Sequence, residues 1–222
     1  MAGFPGLSVR IEALPLADWV AISRAGLPPI GIGRFLILAE ERPAPANRIA
    51  LKVEAGLAFG TGHHASTRLC LQAFEIELRR RGPPKSVLDL GTGTAVLAMA
   101  AARAGARRVA ASDIDPEAVR VARANALANR ARVQVLLADG TRHPLIGKAA
   151  PYDLLFANIL CGPLVRLAPR AGPLIGQGGI AILSGLLAGQ TREVLAPWRA
   201  MGLRLRRRLA EGAWRCLVME KV

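Results

Sequence analysis

What most narrows the folds open to this chain lies between residues 87 and 115. The apolar run Val87-Leu88-Asp89-Leu90 breaks into Gly91-Thr92-Gly93-Thr94, and a second apolar run ends at Asp113-Ile114-Asp115, 22 positions after Gly91. A strand ending in Asp-x-Gly-x-Gly brings bare backbone up to a ligand, because glycine has no Cβ and adopts positive φ. The helix that follows aims its first amides at the same place. An acid at the tip of the next parallel strand lies within reach of a ribose diol. The pattern predicts a nucleoside cradle, with Asp89, Gly91, Gly93 and Asp113 as its cofactor-binding residues.

The position of a third glycine decides which nucleoside. Dinucleotide turns read G-x-G-x-x-G so that pyrophosphate can lie on the helix start; here that third position is Val96. A branched side chain there crowds a pyrophosphate but not a ligand without phosphates. S-adenosylmethionine therefore fits better than NAD.

Strand and helix signals alternate from this point on. Ser86 to Leu90, Val109 to Ser112, Val133 to Leu137, Leu154 to Ala157 and Ile180 to Leu183 read as strands. Thr94 to Ala104, Glu117 to Asn129 and Gln190 to Ala200 read as helices. Pro116 supplies a first-turn proline. Leu164 to Leu174 reads as a helix that Pro169 and Pro173 kink or shorten, and Gly178-Gly179 reads as a turn. Leu203 to Leu209 and Trp214 to Met219 read as a closing strand pair. The alternation implies an α/β fold, a doubly wound, mostly parallel sheet covered on both faces, with an antiparallel pair at its end. In the proline-punctuated first 55 residues only Phe35 to Ala39 and Ala50 to Glu54 look strand-like. Residues 1–55 are therefore expected to be a lead-in packed on a catalytic domain of residues 56–222.

Composition bounds the rest. At 222 residues and 52% hydrophobic content the chain can bury one substantial core. Its longest apolar stretches stop well short of the roughly 20 residues that span a bilayer, and no signal-peptide pattern opens it, so no membrane and a cytoplasmic location are expected. Cys70, Cys161 and Cys216, odd in number and far apart, suggest neither a disulfide framework nor a zinc site; His63, His64 and His143 show no metal-like spacing. Lys plus Arg number 30 against 16 Asp plus Glu, a formal charge of +14. Such an excess suits an RNA-facing surface. The preponderance of Arg, together with abundant Ala, also has a purely compositional reading. The densest basic run, Arg204, Arg206, Arg207 and Arg208, is either part of such a surface or a solvated face. Trp19, Trp198 and Trp214 are scattered and few, and read as packing residues.

Two further segments carry chemistry. Gly56-Leu57-Ala58-Phe59-Gly60-Thr61-Gly62-His63-His64-Ala65-Ser66-Thr67 is a glycine-rich loop running into a helix that begins near Ser66, where Ser66 or Thr67 offers a hydroxyl, to a ligand or merely as an N-cap. In Asp153 to Leu160 an apolar strand ends at Asn158, at the sheet edge where doubly wound folds bind ligands. Its side-chain carbonyl could accept a hydrogen bond from an incoming amine and hold the lone pair toward a methyl group, or the residue could cap the next helix.

Taken together, Ala58-Phe59-Gly60-Thr61-Gly62-His63 with Thr67-Arg68-Leu69-Cys70-Leu71, Leu88 to Gly93, Asp113-Ile114-Asp115-Pro116, Ala157-Asn158-Ile159-Leu160 with Pro163-Leu164, and Gly178-Gly179 to Leu183-Ser184-Gly185 resemble the PrmA family, methyltransferases of large-subunit ribosomal protein eleven at the stalk base. The resemblance covers about residues 8 to 222. It implies a Rossmann-like class I methyltransferase that transfers methyl groups from S-adenosylmethionine to lysine ε-amines and an N-terminal α-amine of a ribosomal protein substrate. It places Thr67, Gly91, Asp113 and Asn158 at cofactor-contacting positions; Asn158, through its amine-orienting carbonyl, is the candidate catalytic residue. Ala95 stands where the family has glycine, and Ser66 replaces a threonine. The family's separate N-terminal recognition domain is expected to be missing, with Met1 at the position of the interdomain linker, as in a truncated gene model or a catalytic domain with another substrate. Other readings are methylation of a different protein or of RNA, possible through the basic surface, and an inactive ribosome- or RNA-binding module. The absence of an Asn-Pro-Pro-aromatic motif after the fourth strand weighs against nucleobase-amine methylation.

Overall fold

The computed structural model describes residues 28–39, 43, 45–53 and 62–222. Three short strands come first: β1 (Ile30–Ile32), β2 (Phe35–Leu38) and β3 (Ile49–Lys52). β2 pairs antiparallel with β1 and parallel with β3. β1 corrects the expectation of only two strands in this region. Three residues, one of them Gly31, carry no readable alternation, and the strand exists because β2 gives it a partner.

The small sheet is fixed to α1 (Ala65–Arg81). Phe35 stacks on Phe74 with ring centroids 5.7 Å apart, and the Arg34 guanidinium donates to the buried Glu75 carboxylate at 2.7 Å. Those contacts hold Glu75 below the ordinary carboxylate pKa: burial opposes the charge, but two arginine hydrogen bonds, from Arg34 and Arg79, outweigh it. On the other side the Asn129 amide bridges the Lys52 backbone, accepting from its N–H at 2.7 Å and donating to its carbonyl at 2.6 Å.

Next come β4 (Ser86–Leu90), α2 (Val96–Arg103), β5 (Arg108–Asp113), α3 (Pro116–Ala128), β6 (Gln134–Leu137), α4 (Pro144–Lys148), β7 (Tyr152–Asn158), α5 (Cys161–Ala171), β8 (Ile175–Leu187), α6 (Thr191–Ala200), β9 (Leu203–Glu211) and β10 (Trp214–Lys221). The strands make one seven-stranded sheet in the order β6-β5-β4-β7-β8-β10-β9. β4 to β8 are parallel, and β10 runs antiparallel to both β8 and β9. Strand alternation sends Val87 and Asp89 to the face covered by α1 and α2, and Leu88 and Leu90 to the face covered by α5 and α6. The buried Trp198 of α6 closes the second layer by donating its indole N–H to the Leu164 carbonyl at 3.0 Å.

Three elements depart from the sequence reading. β8 runs through Gly178-Gly179 where a turn was expected, because a Cβ on Gly179 would lie 2.9 Å from the Tyr152 carbonyl and 2.8 Å from that of Gly176. These glycines let β8 close on β7 across a register shift between Tyr152 and Leu154. α5 starts three residues earlier than expected and continues past Pro169, whose missing N–H falls on an exposed face that water can serve. α4, five residues long, shows no helical periodicity in the sequence and is fixed by Pro144 in its first turn and a His143 cap.

Candidate active site

The fingerprint loop is stitched to the neighbouring strand. The Gly91 and Thr92 amides donate to the Ser112 carbonyl at 2.8 and 3.0 Å, and the Gly93 amide donates to the Asp113 carboxylate at 2.9 Å. Gly91 and Gly93 have φ of 67° and 54°. At Gly91 a Cβ would approach the Ile159 side chain to 2.4 Å, so only glycine lets the loop lie against the β7 tip. Asp113 stands half-exposed at the end of β5; its other oxygen accepts from the Asp115 amide at 3.1 Å. Asp113, Gly91, Gly93 and Asn158 thus all lie at the carboxyl ends of β4, β5 and β7, where parallel sheets bind ligands.

Asp89 faces inward. Its carboxylate accepts from the Thr92 hydroxyl at 2.6 Å and from the Ala98 amide at 3.2 Å. Ala98 is the third residue of α2, whose N-cap, Ala95, has no side-chain oxygen and sits in the left-handed region at φ 65°. Asp89 therefore supplies the missing cap from a neighbouring strand. Burial pushes its carboxyl up to about 7, aided by the nearby Asp113 charge and resisted by the two hydrogen bonds. A carboxyl whose folded pKa is raised binds more protons native than unfolded, so stability falls as pH rises from about 4 to about 7. Asp89→Asn, which keeps an acceptor and cannot ionise, is expected to flatten that slope, worth up to ~4 kcal/mol at about 1.4 kcal/mol per pH unit. Urea midpoints across that pH range measure it, and equal slopes in both proteins would reassign the titration.

Asn158 does not cap the following helix. The N-cap of α5 is Leu160, without a side-chain bond. The Asn158 amide instead donates to the Thr67 hydroxyl at 3.2 Å, while its buried Oδ1 has no hydrogen-bond partner among the described residues. A buried carbonyl oxygen left unpaired costs about 1–3 kcal/mol. Ser184, opposite Asn158 on β8, ties the site together beneath. Its hydroxyl lies 3.2 Å from the Ser66 carbonyl and 3.1 Å from that of Arg215.

The glycine-rich loop is described only from Gly62; Gly56 to Thr61 lie outside the described residues, as does Trp19. The cap of α1 is neither Ser66 nor Thr67 but His64, whose Nδ1 accepts from the Ser66 amide at 3.3 Å and whose ring meets Trp214 edge-on at 4.4 Å. In the sequence His64 carries no metal-like spacing and no other mark of a site, and Ser184 comes under Asn158 only through strand register.

A family model described as Ribosomal protein L11 methyltransferase (PrmA) matches residues 3–222. The chain belongs to that family. The Ribosomal protein L11 methyltransferase of Caulobacter sp. is 44% identical over 223 residues, which span 100% of this chain and 77% of the relative. The crystal structure of a ribosomal protein L11 methylase from Lactobacillus delbrueckii subsp. bulgaricus superposes with a TM-score of 0.74 at 24% identity, over 87% of this chain and 98% of the other. A 16S rRNA methyltransferase of T. thermophilus, in complex with AdoMet and guanosine, shares the fold with a TM-score of 0.60 at 22% identity, over 74% of this chain and 45% of that one. The PrmA family is thus a methyltransferase family on a class I fold, and no helix among the described residues is long and apolar enough to cross a membrane.

Proposed function

We propose that this chain transfers methyl groups from S-adenosylmethionine to lysine and N-terminal amines of ribosomal protein L11, the protein for which its relatives are named. The Oδ1 of Asn158 carries this reading: a buried acceptor beside the fingerprint loop with no donor among the described residues. An amine bound there would donate to it, leaving the nitrogen lone pair directed away from Oδ1. The residues support S-adenosylmethionine: the Gly91 to Gly93 backbone would lie along it, Asp113 would accept from its ribose, and Thr67 would hold the Asn158 amide in place. Bound there, the cofactor would supply an electrophilic methyl on a sulfonium.

Lysine must lose its proton before attack, against a solution pKa near 10.4. Thr67, the hydrogen-bond partner of Asn158, and Ser184, its register partner on β8, are uncharged, so neither holds an entering amine as ammonium. Catalysis then rests on alignment and on exclusion of water rather than on a covalent intermediate. Residues 56–222 are read as the catalytic unit and residues 1–55 as its lead-in.

Labelled S-adenosylmethionine with purified ribosomal protein L11 tests the reading, and incorporation into the protein is the expected result. Asp113→Ala is expected to weaken cofactor affinity roughly 10- to 100-fold, the worth of a charged hydrogen-bond acceptor of about 1.5–3 kcal/mol. Cofactor at about a hundred times its Kd stabilises the native state by about 2.7 kcal/mol, so thermal shift reads the loss directly. Stabilisation without methyl transfer would identify a binding module, and unchanged affinity in the variant would remove Asp113 from the cofactor site.

A further inference from the structure

The basic run of β9 is not one patch. Register pairs Arg207 with Val218 and Arg208 with Leu217, residues that belong to opposite faces of the sheet, and Arg206 is ion-paired with Glu220. The arginines around α1 are likewise matched: Arg34 and Arg79 by Glu75, Arg80 and Arg81 by Glu77.

A different cluster, scattered through the sequence, assembles at the amino ends of β4, β5 and β6, the end of the sheet opposite the candidate active site. Arg107 and Arg108 both donate their amides to the Lys85 carbonyl, at 3.1 and 3.0 Å. Arg108 opens β5, and Arg132 lies two residues ahead of β6, whose Gln134 is set against Ala110 by the parallel register. Arg108 and Arg132 line one open groove of about 410 Å³ with Gln134, Ala149 and Tyr152. Arg130, at φ 50°, follows the end of α3 beside Asn129, whose carbonyl accepts from Arg103 at 2.7 Å. All of these basic residues are exposed. The Asp153 carboxylate, at the same end of the sheet, is engaged with the Lys85 and Ser86 amides at 2.7 and 3.0 Å.

Like charges gathered at one end of the sheet repel one another, and here no carboxylate among the described residues pairs with Arg107, Arg108, Arg130 or Arg132. Arginine forks that reach solvent unpaired suit bidentate contact with phosphate oxygens, and a groove between two of them suits a continuous phosphate backbone better than a single anion. We propose that this face binds the phosphate backbone of RNA, so that the protein engages a ribosomal particle through the end of the sheet remote from its catalytic centre. The choice of RNA over another polyanion rests on the ribosomal substrate proposed above; the electrostatic argument does not.

Binding of a labelled duplex fragment of large-subunit ribosomal RNA, followed by anisotropy over a salt series, tests this without requiring turnover. Each lost phosphate contact lowers the salt slope by about 0.7–0.9. The Arg108→Gln/Arg132→Gln double variant should therefore bind roughly tenfold more weakly and lose about 1.5 from the slope, by the same arithmetic. Its melting temperature should equal or exceed that of the parent, because a like-charge neighbour is removed, and its thermal shift with S-adenosylmethionine should be unchanged. Unaltered RNA affinity and slope in the variant would overturn the proposal. Polyglutamate binding as tight as the RNA would overturn it in favour of an acidic protein partner. Loss of methyl transfer to free L11 with intact RNA binding would instead count against the proposed function and leave this face standing.

Discussion

Gly185→Ala is expected to cost about 2–5 kcal/mol and to lower the melting temperature by roughly 10 °C, at about 2–4 °C per kcal/mol for a domain of this size. Gly185 sits at φ 85°, where a side chain costs about 1–2 kcal/mol. A Cβ there would lie 2.4 Å from the Ile159 carbonyl oxygen and 3.0 Å from its amide nitrogen. Backbone, unlike a flexible side chain, cannot step aside cheaply, and overpacking of this kind adds about 1–3 kcal/mol. The displaced residue is the one after Asn158, and its side chain is also what a Cβ on Gly91 would strike. Methyl transfer should therefore fall with stability. Gly178→Ala separates the two contributions: its φ is 73°, yet nothing lies within 4 Å of the added methyl. It should show the backbone cost alone, about 1–2 kcal/mol. Equal melts for the two variants would mean that the close approach to Ile159 contributes nothing.

Gly185 also shows what a sequence can carry and what it cannot. The glycine stands inside a recognisable motif, but its reason, contact with a residue 26 positions away in the chain, exists only once β7 and β8 pair through Asn158 and Ser184. Features set by near neighbours were legible. Ser86 to Leu90 is a strand at the residues expected, and Pro116 opens a helix because Asp115 precedes it and accepts from the Glu117 amide at 2.9 Å. Asp113 could be placed because strand, loop and strand have narrow length ranges. Features set by remote partners were not. β1 depends on β2, the His64 cap on a ring packed against Trp214, and the Asp89 carboxyl turns inward because Ala95 leaves α2 uncapped. The charge of +14 was plain from composition, but its grouping was misleading. Consecutive arginines on β9 diverge by strand alternation, whereas Lys85, Arg108 and Arg132 converge through sheet register.

Asn158→Ala is expected to reduce kcat roughly 10- to 100-fold while shifting cofactor affinity far less, since the missing group is a hydrogen-bond acceptor for the reacting amine, worth about 1.5–3 kcal/mol when the partner becomes charged as the methyl is transferred. The stability outcome is the more discriminating half. A side chain kept for the fold would destabilise the protein when replaced. Among the described residues the Asn158 side chain makes one bond, to Thr67, worth about 0.5–1.5 kcal/mol, and leaves Oδ1 buried and unpaired at a cost of about 1–3 kcal/mol. Removing both polar groups should be neutral or stabilising. Asn158→Leu, which keeps the branched heavy-atom skeleton without polar atoms, avoids the cavity that alanine would open, and Asn158→Ala measured beside it shows what its bulkier methyls cost. A Leu variant that melts at or above the parent temperature and transfers no methyl would mark Asn158 as held at a cost for its substrate. If the Leu variant melts well below the parent, Oδ1 has a partner in the folded protein and the amine-orienting role fails. The same orphaned oxygen therefore sets both predictions, and each can be measured without the other.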